Sequence, residues 1–460
     1  MAEYEKKLHA GDNFVESVRN VLATQSTSYS TLFKNCQKLP GYIRIFQEKP
    51  FKLMLGNYDM IRLGAEYFNR TDNSFMCIDS SGNFWTEKRK KNEPKKLNTA
   101  IVIPPIEKGD SPFPVFEQIS ESNKTIDFIV FLEYAWYYMR DAINNQDVKF
   151  PALIICDLAF AIIHSTLHIF GKIGIREYLQ VSFNSLTRKE NVNVSSKLAI
   201  CENHVLPALL KSSRKFIGDK VLADTVIAGV MIMLSAANFE SAVDIWRNLV
   251  RIHCSKRIDD AARQQVKQHS FDDNDLVKSD DFYIDFDDDS EDPAEISKYG
   301  KRQAIRSNSP FFSFFMRDIS KIENTETDIA NVRNPFWCPG LLKMICKQYL
   351  SLFPILSASF LPESSKGLRN NAYVELYWQD CRRILKDIPK RIQWPPVYLG
   401  HMHQQIQRKA EEIVIQGRLI PNLRTGGKVK LQKTQSFVQK MDMDLFKLKS
   451  PKVGFINIAI

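Results

Sequence analysis

The sequence has no CxxC pair, no framework of closely spaced cysteines and no apolar run long enough to span a bilayer. Its 8 cysteines are scattered over 460 residues, which excludes a disulfide scaffold and points to a reducing compartment. The longest apolar stretches, 152–164 and 226–237, fall short of the ~20 residues that a membrane helix needs. The opening MAEYEKKLHAGDNF is polar and charged, so it does not read as a signal peptide. No internal repeat is visible, which sets aside a solenoid.

What is present is ordinary in bulk and uneven in layout. Hydrophobic residues make up 44% and charged residues 25%, as in a soluble globular protein of two or three folding units. Phe is abundant, at 30. The formal charge is +10, but residues 271–295 hold twelve acids and one Lys, a local −11, so the other 435 residues carry +21. A surplus of that size argues for an anionic partner such as nucleic acid.

Along the chain, residues 1–70 alternate apolar and polar groups at helical spacing and predict two or three helices. Short β-type runs follow at 74–79 (SFMCID), 97–105 (LNTAIVIPP) and 113–119 (FPVFEQI), with a basic loop at 87–96. Residues 124–146 read as a long aromatic-rich helix. FPALIICD (150–157) has the continuous apolar character of a buried parallel strand, and 159–170 read as a helix. KLAIC (197–201) reads as a fifth strand. Beyond His204 the pattern is helical: three helices over 205–265, an acidic solvated loop at about 270–300, then helices within 310–360, 368–385 and 397–416. The order β-β-β-α-β-α-β followed by helices predicts an α/β protein with a mixed sheet covered by helices. The expected divisions are 1–70, a core over 71–205, a helical insertion over 206–362, C-terminal helices over 363–416 and a basic tail over 417–460.

Two acids stand at strand ends. Asp79 ends the first run before Ser-Ser-Gly, and Asp157 ends the apolar strand before a helix. An Asp before a turn or at a helix start is ordinarily a cap. The pair is another matter, because acids at the carboxyl ends of sheet strands point into the crevice where α/β sheets bind ligands. Carboxylates crowded there repel unless a cation lies between them, and Mg²⁺ prefers such hard oxygens.

Four segments resemble the Mutator-like (MULE) transposases, members of the DDE superfamily. They are SFMCIDSSGNFW (74–85), FPVFEQISESNKTIDFIVFLEYAW (113–136), FPALIICDLAFAIIHSTLHIFG (150–171) and LRNNAYVELYWQDCRRIL (368–385). The last is similar to the family's N-x-x-x-E helix and singles out Glu375 over the neighbouring Glu363 and Asp380. Cys201-Glu-Asn-His204 resembles the family's Cys/His motif. The resemblance implies an RNase H-like mixed-sheet core flanked by helices, with a long all-α insertion before the last catalytic helix. It implies that Asp79, Asp157 and Glu375 are catalytic and hold two Mg²⁺ (or Mn²⁺) ions, nicking an element end and joining it to target DNA. It implies a nuclear protein whose partners are transposon ends and target DNA, with no membrane partner. Transposases act as oligomers on paired ends, so a homo-oligomer is the corresponding expectation.

The remaining candidates are less specific. Cys201 and His204 share one helix face but make only two ligands of a zinc site. They are read as a structural or DNA-contacting motif. His164, His168, Cys338 and Cys346 have no metal-site spacing, and the His pair reads as buried core. Over residues 401–460, Arg408, Lys409, Arg418, Arg424, Lys428, Lys430 and Lys433 suit a phosphate track, a solvated tail or an import signal. One departure from the family is plain: the first 70 residues contain only Cys36, so the family's N-terminal zinc module cannot be built from them. The alternative is therefore a catalytically inactive or domesticated transposase derivative that binds DNA or a partner.

Overall fold

In the computed structural model, the structure describes residues 42–47, 49–82, 97–105, 112–144, 147–190, 194–256, 304–325 and 334–387, with 402 and 406. They divide into two units, one from residues up to 172 together with those from 371, the other from 173 to 370. The protein is α/β, with a mixed sheet flanked by helices.

Most of the helical expectation for residues 1–70 falls on 1–41, outside the described residues, but within the described part of the first unit strands stand over 43–55 where helices were expected. Residues 43–55 form β1 (Ile43–Gln47) and β2 (Lys52–Leu55), an antiparallel hairpin. The strands are too short to show a clear period of two, and β2 is buried along its whole length, which erases the alternation a half-exposed strand would print. Helix α1 (Tyr58–Arg70) does follow, as expected. Its start is fixed by Asn57, whose side chain accepts hydrogen bonds from the Asp59 and Met60 N–H groups.

Next come β3 (Phe75–Ser81), β4 (Leu97–Ile103) and β5 (Phe113–Ser120), then α2 (Thr125–Ala142), β6 (Leu153–Cys156) and α3 (Phe160–Thr166). Within this unit the strand order is β1-β2-β5-β4-β3-β6. All pairs are antiparallel except β3 with β6, which is parallel. The register slips between Ile43/Ile45 in the β1–β2 pair and again between Ile101/Val102, where Val115 of β5 is left as a bulge. Val115 and Phe116 then serve the face covered by α1 and α2. Phe116 packs on Phe131 of α2 at 5.8 Å, and a Cβ on Gly64 of α1 would meet Val115 Cγ1 at 2.7 Å. Gly64 is the close-approach point of helix and sheet. The opposite face carries α10 (Ala372–Asp387), which packs on β3, β4 and β5.

The second unit contains α4 (Ile175–Arg188), the short strand β7 (Lys197–Ile200) and the helices α5 (Glu202–Ile217), α6 (Lys220–Ser235) and α7 (Phe239–Cys254). Helices α8 (Pro310–Thr325) and α9 (Pro339–Gln348) follow. Helix α4 was not anticipated. The Phe surplus is spent here: Phe353 packs on Phe239, Phe311 and Phe315 at 5.6, 5.6 and 5.2 Å. Trp246 is fully buried against Phe315 and donates its indole N–H to the Phe315 carbonyl at 3.2 Å. No helix among the described residues is long and apolar enough to cross a membrane. The basic loop 87–96, the acidic stretch 271–295 and the tail 417–460 lie outside the described residues.

Candidate active site

Asp79 is the fifth residue of β3, and Asp157 directly follows β6. The parallel register runs from Phe75 opposite Leu153 to Ile78 opposite Cys156. The next step brings Asp79 level with Asp157 on strands that lie about 4.8 Å apart. Both acids are buried, at 5% and 6% exposure. Asp157 Oδ1 accepts the Ala159 N–H at 3.2 Å in a turn just ahead of α3, whose N-cap is Ala159. That bond helps to orient the carboxyl at the end of β6.

Glu375 sits in the first turn of α10, where its N–H bonds the Asn371 carbonyl at 3.0 Å. Three contacts fix the course of this helix. The Tyr373 ring meets Phe75 at 5.7 Å, the Trp378 indole N–H donates to Asp79 Oδ2 at 3.2 Å, and Arg382 donates to Ser81 Oγ at 3.3 Å. Strand and helix numbers rise together, so α10 runs in the direction of β3 and carries Glu375 over Cys77 and Asp79.

The electrostatics follow from this crowding. Burial pushes the Asp79 carboxyl up to about 7, and the Glu375 charge adds to it. The Ser80 N–H, the Trp378 indole and the more distant Arg382 guanidinium pull the other way. The Cys77 thiol is pushed up by burial and then by Asp79 and Glu375. Among the described residues, the three carboxyl groups do not all close to within 4.8 Å of one another, so the close convergence expected of a two-metal centre is not seen. All offer hard oxygen donors, the kind that Mg²⁺ and Mn²⁺ take.

The other candidates fall elsewhere. Cys201 is the N-cap of α5 and His204 lies in its first turn. Both are buried in the second unit, with ligand atoms within 4.8 Å of each other. Cys338 Sγ lies 3.7 Å from His253 Nδ1, and Cys346 is buried. The expected core pair of His164 and His168 is not formed: His164 is half-buried and His168 exposed. The chain passes from α-helix into a π turn at Leu167–Gly171, which changes the rotation per residue and moves His168 off the face of His164. Arg408, Lys409, Arg418, Arg424, Lys428, Lys430 and Lys433 lie outside the described residues.

Sequence reasoning missed Glu117 of β5, a fourth acid on the same face. Cross-strand register aligns Leu55, Glu117, Ala100 and Asp79 in one row. Glu117 is buried, and each of its carboxyl oxygens accepts a phenol, one from Tyr42 and one from Tyr377 of α10. The available signal was an acid inside an otherwise apolar strand, FPVFEQIS. Trp378 was missed too, and its position three residues after Glu375 was the clue. Comparisons with protein-family models, with curated proteins and with solved structures give no match.

Proposed function

We propose that the first unit is an RNase H-like catalytic core that cuts and joins DNA as a transposase of the MULE kind, using divalent cations held by Asp79, Asp157 and Glu375. The observation that carries this reading is the register of β3 and β6, which runs to Ile78 opposite Cys156 and so brings Asp79 level with Asp157 on neighbouring parallel strands, with the helix that bears Glu375 packed on β3 beside Asp79. The three sequential antiparallel strands, the helix after them and the parallel strand bearing the second acid are the order the resemblance leads one to expect.

The donor set suits the cations. A buried carboxyl raised by burial and by a neighbouring acid is the arrangement a bound cation would relieve. When bound, Mg²⁺ or Mn²⁺ supplies Lewis-acid activation of the attacking hydroxyl and stabilisation of the leaving oxygen. The chain's own contribution is positioning. Asp79 presents its oxygens from within β3 and Asp157 from the end of β6, two paired strands that do not move independently. The Trp378 indole and the Ala159 N–H fix how those carboxyls turn, and α10 brings the third acid from outside the sheet. Positioning and charge stabilisation supply most of the rate in such chemistry. The positive surplus outside residues 271–295 supplies the attraction for DNA phosphates. Action on paired ends by a homo-oligomer in the nucleus belongs to the same proposal.

The test is Mg²⁺-dependent nicking of supercoiled plasmid by the purified protein and by Asp157→Asn. Nicking by the wild type alone supports the reading. Equal nicking by both overturns it, and nicking by neither favours the inactive, transposase-derived binding protein.

A further inference from the structure

Helix α10 is held to the sheet by polar ties on two different strands, and besides the Arg382 bond to Ser81 of β3 two of them are buried. Trp378 is tied to Asp79 of β3, and Tyr377 is tied to Glu117 of β5. Ala100 of β4 stands between the two acids in the same row, so the ties lie about two strand spacings, roughly 9–10 Å, apart. On the helix the two side chains are adjacent residues, about 100° apart. Two ties splayed in this way oppose rolling of the helix about its axis, which a single tie would permit. Glu375 lies about 200° of helical rotation from Tyr377, so any roll would carry its carboxyl across the strand ends.

Glu117 is built for this use. It is buried and both oxygens are engaged, the second by Tyr42 from the segment entering β1. Tyr42 and Tyr377 are themselves buried, at 1% and 5% exposure. One carboxyl therefore joins the entry to the hairpin, the middle of the sheet and a helix 260 residues further along the chain. A buried acid is unfavourable unless its oxygens are satisfied, so the undocked helix would leave one Glu117 oxygen without its phenol.

We propose that Glu117, through Tyr377, is the positioning residue that docks α10 and sets Glu375 beside Asp79. It touches neither substrate nor metal. The positioning of Glu375 for a cation rests on the function proposed above, whereas the docking of α10 does not.

The experiment uses the full chain with Tyr377→Phe, which removes one hydroxyl and keeps the ring, and Glu117→Gln as a second variant. Hydrogen exchange of residues 372–387 and Mn²⁺ binding followed by electron paramagnetic resonance are measured on the same preparations. The expected result is at least tenfold faster exchange confined to 372–387 and about tenfold or greater loss of Mn²⁺ affinity, the scale seen when the outer partner of a metal-bound ligand is removed. High Mn²⁺ should restore protection in Tyr377→Phe. Unchanged exchange in both variants overturns the docking role. Faster exchange with Mn²⁺ affinity equal to wild type overturns the positioning of Glu375. If exchange rises but the wild type binds no Mn²⁺, docking stands and the metal reading falls.

Discussion

Asp79→Asn should make the metal-free protein more stable, and more so as the pH rises. The Asp79 carboxyl is raised from an ordinary 3.8 to about 7 by burial and by Glu375. Between those values the folded state binds a proton that the unfolded chain releases. Folding therefore loses stability as pH climbs through this window, by about 1.4 kcal/mol per unit and about 4 kcal/mol in all. Asn carries no such penalty and keeps an oxygen for the Trp378 indole. The advantage of the variant over wild type should grow by about 3 kcal/mol between pH 5 and pH 8. Urea unfolding in EDTA at the two pH values reads this difference directly. Added Mg²⁺ should stabilise the wild type at pH 8, by about 2.7 kcal/mol at a hundred times its dissociation constant, and leave the variant unmoved. A variant whose relative stability is the same at pH 5 and pH 8 would refute the reasoning, because burial beside Glu375 would then not be felt by Asp79.

Other perturbations follow from the same structure. His253 is buried, bonded to the Phe336 carbonyl, and held neutral down to about 4. The unfolded chain takes up this proton first, so stability should fall by about 3 kcal/mol as pH drops from 6.5 to 4, visible as a falling urea midpoint that His253→Gln lessens. Gly64→Ala should destabilise by about 1–3 kcal/mol through its clash with Val115, despite the better helix propensity of Ala; thermal melting checks it. Phe315→Ala should cost about 3–5 kcal/mol, because it opens a hole between Trp246, Phe239 and Phe353. Deleting 417–460 should flatten the salt dependence of DNA binding by roughly 0.9 log unit per decade for each phosphate that the tail neutralises. An unchanged slope would mean that the tail does not track phosphates.

The parts legible in the sequence were those whose pattern is set locally. Phe113–Ser120, Leu153–Cys156 and the three helices after Cys201 stand close to their expected bounds, because β-branched runs and long amphipathic stretches print their period over enough residues. The hairpin at 43–55 was misread because four- and five-residue strands, one wholly buried, show too little alternation. Asp157 could be picked out as a strand-end acid, whereas β3 runs on through Ser81 and does not end at Asp79 as expected; the alignment of the two depends on the register between β3 and β6, a long-range fact that no local pattern carries. Glu375 could be chosen only by resemblance, since a Glu on a helix is otherwise unremarkable. Glu117 escaped because its partners, Tyr42 and Tyr377, are 75 and 260 residues away.

The central claim is that Asp79, Asp157 and Glu375, borne by β3, the end of β6 and α10, perform metal-dependent chemistry on DNA. It is tested most directly by nicking of supercoiled plasmid in Mg²⁺ with wild type, Asp79→Asn, Asp157→Asn and Glu375→Gln side by side. The account predicts nicking by the wild type, none in EDTA, and a loss of at least a hundredfold in each variant, about 2.7 kcal/mol of transition-state stabilisation. Nicking that survives all three substitutions would contradict it.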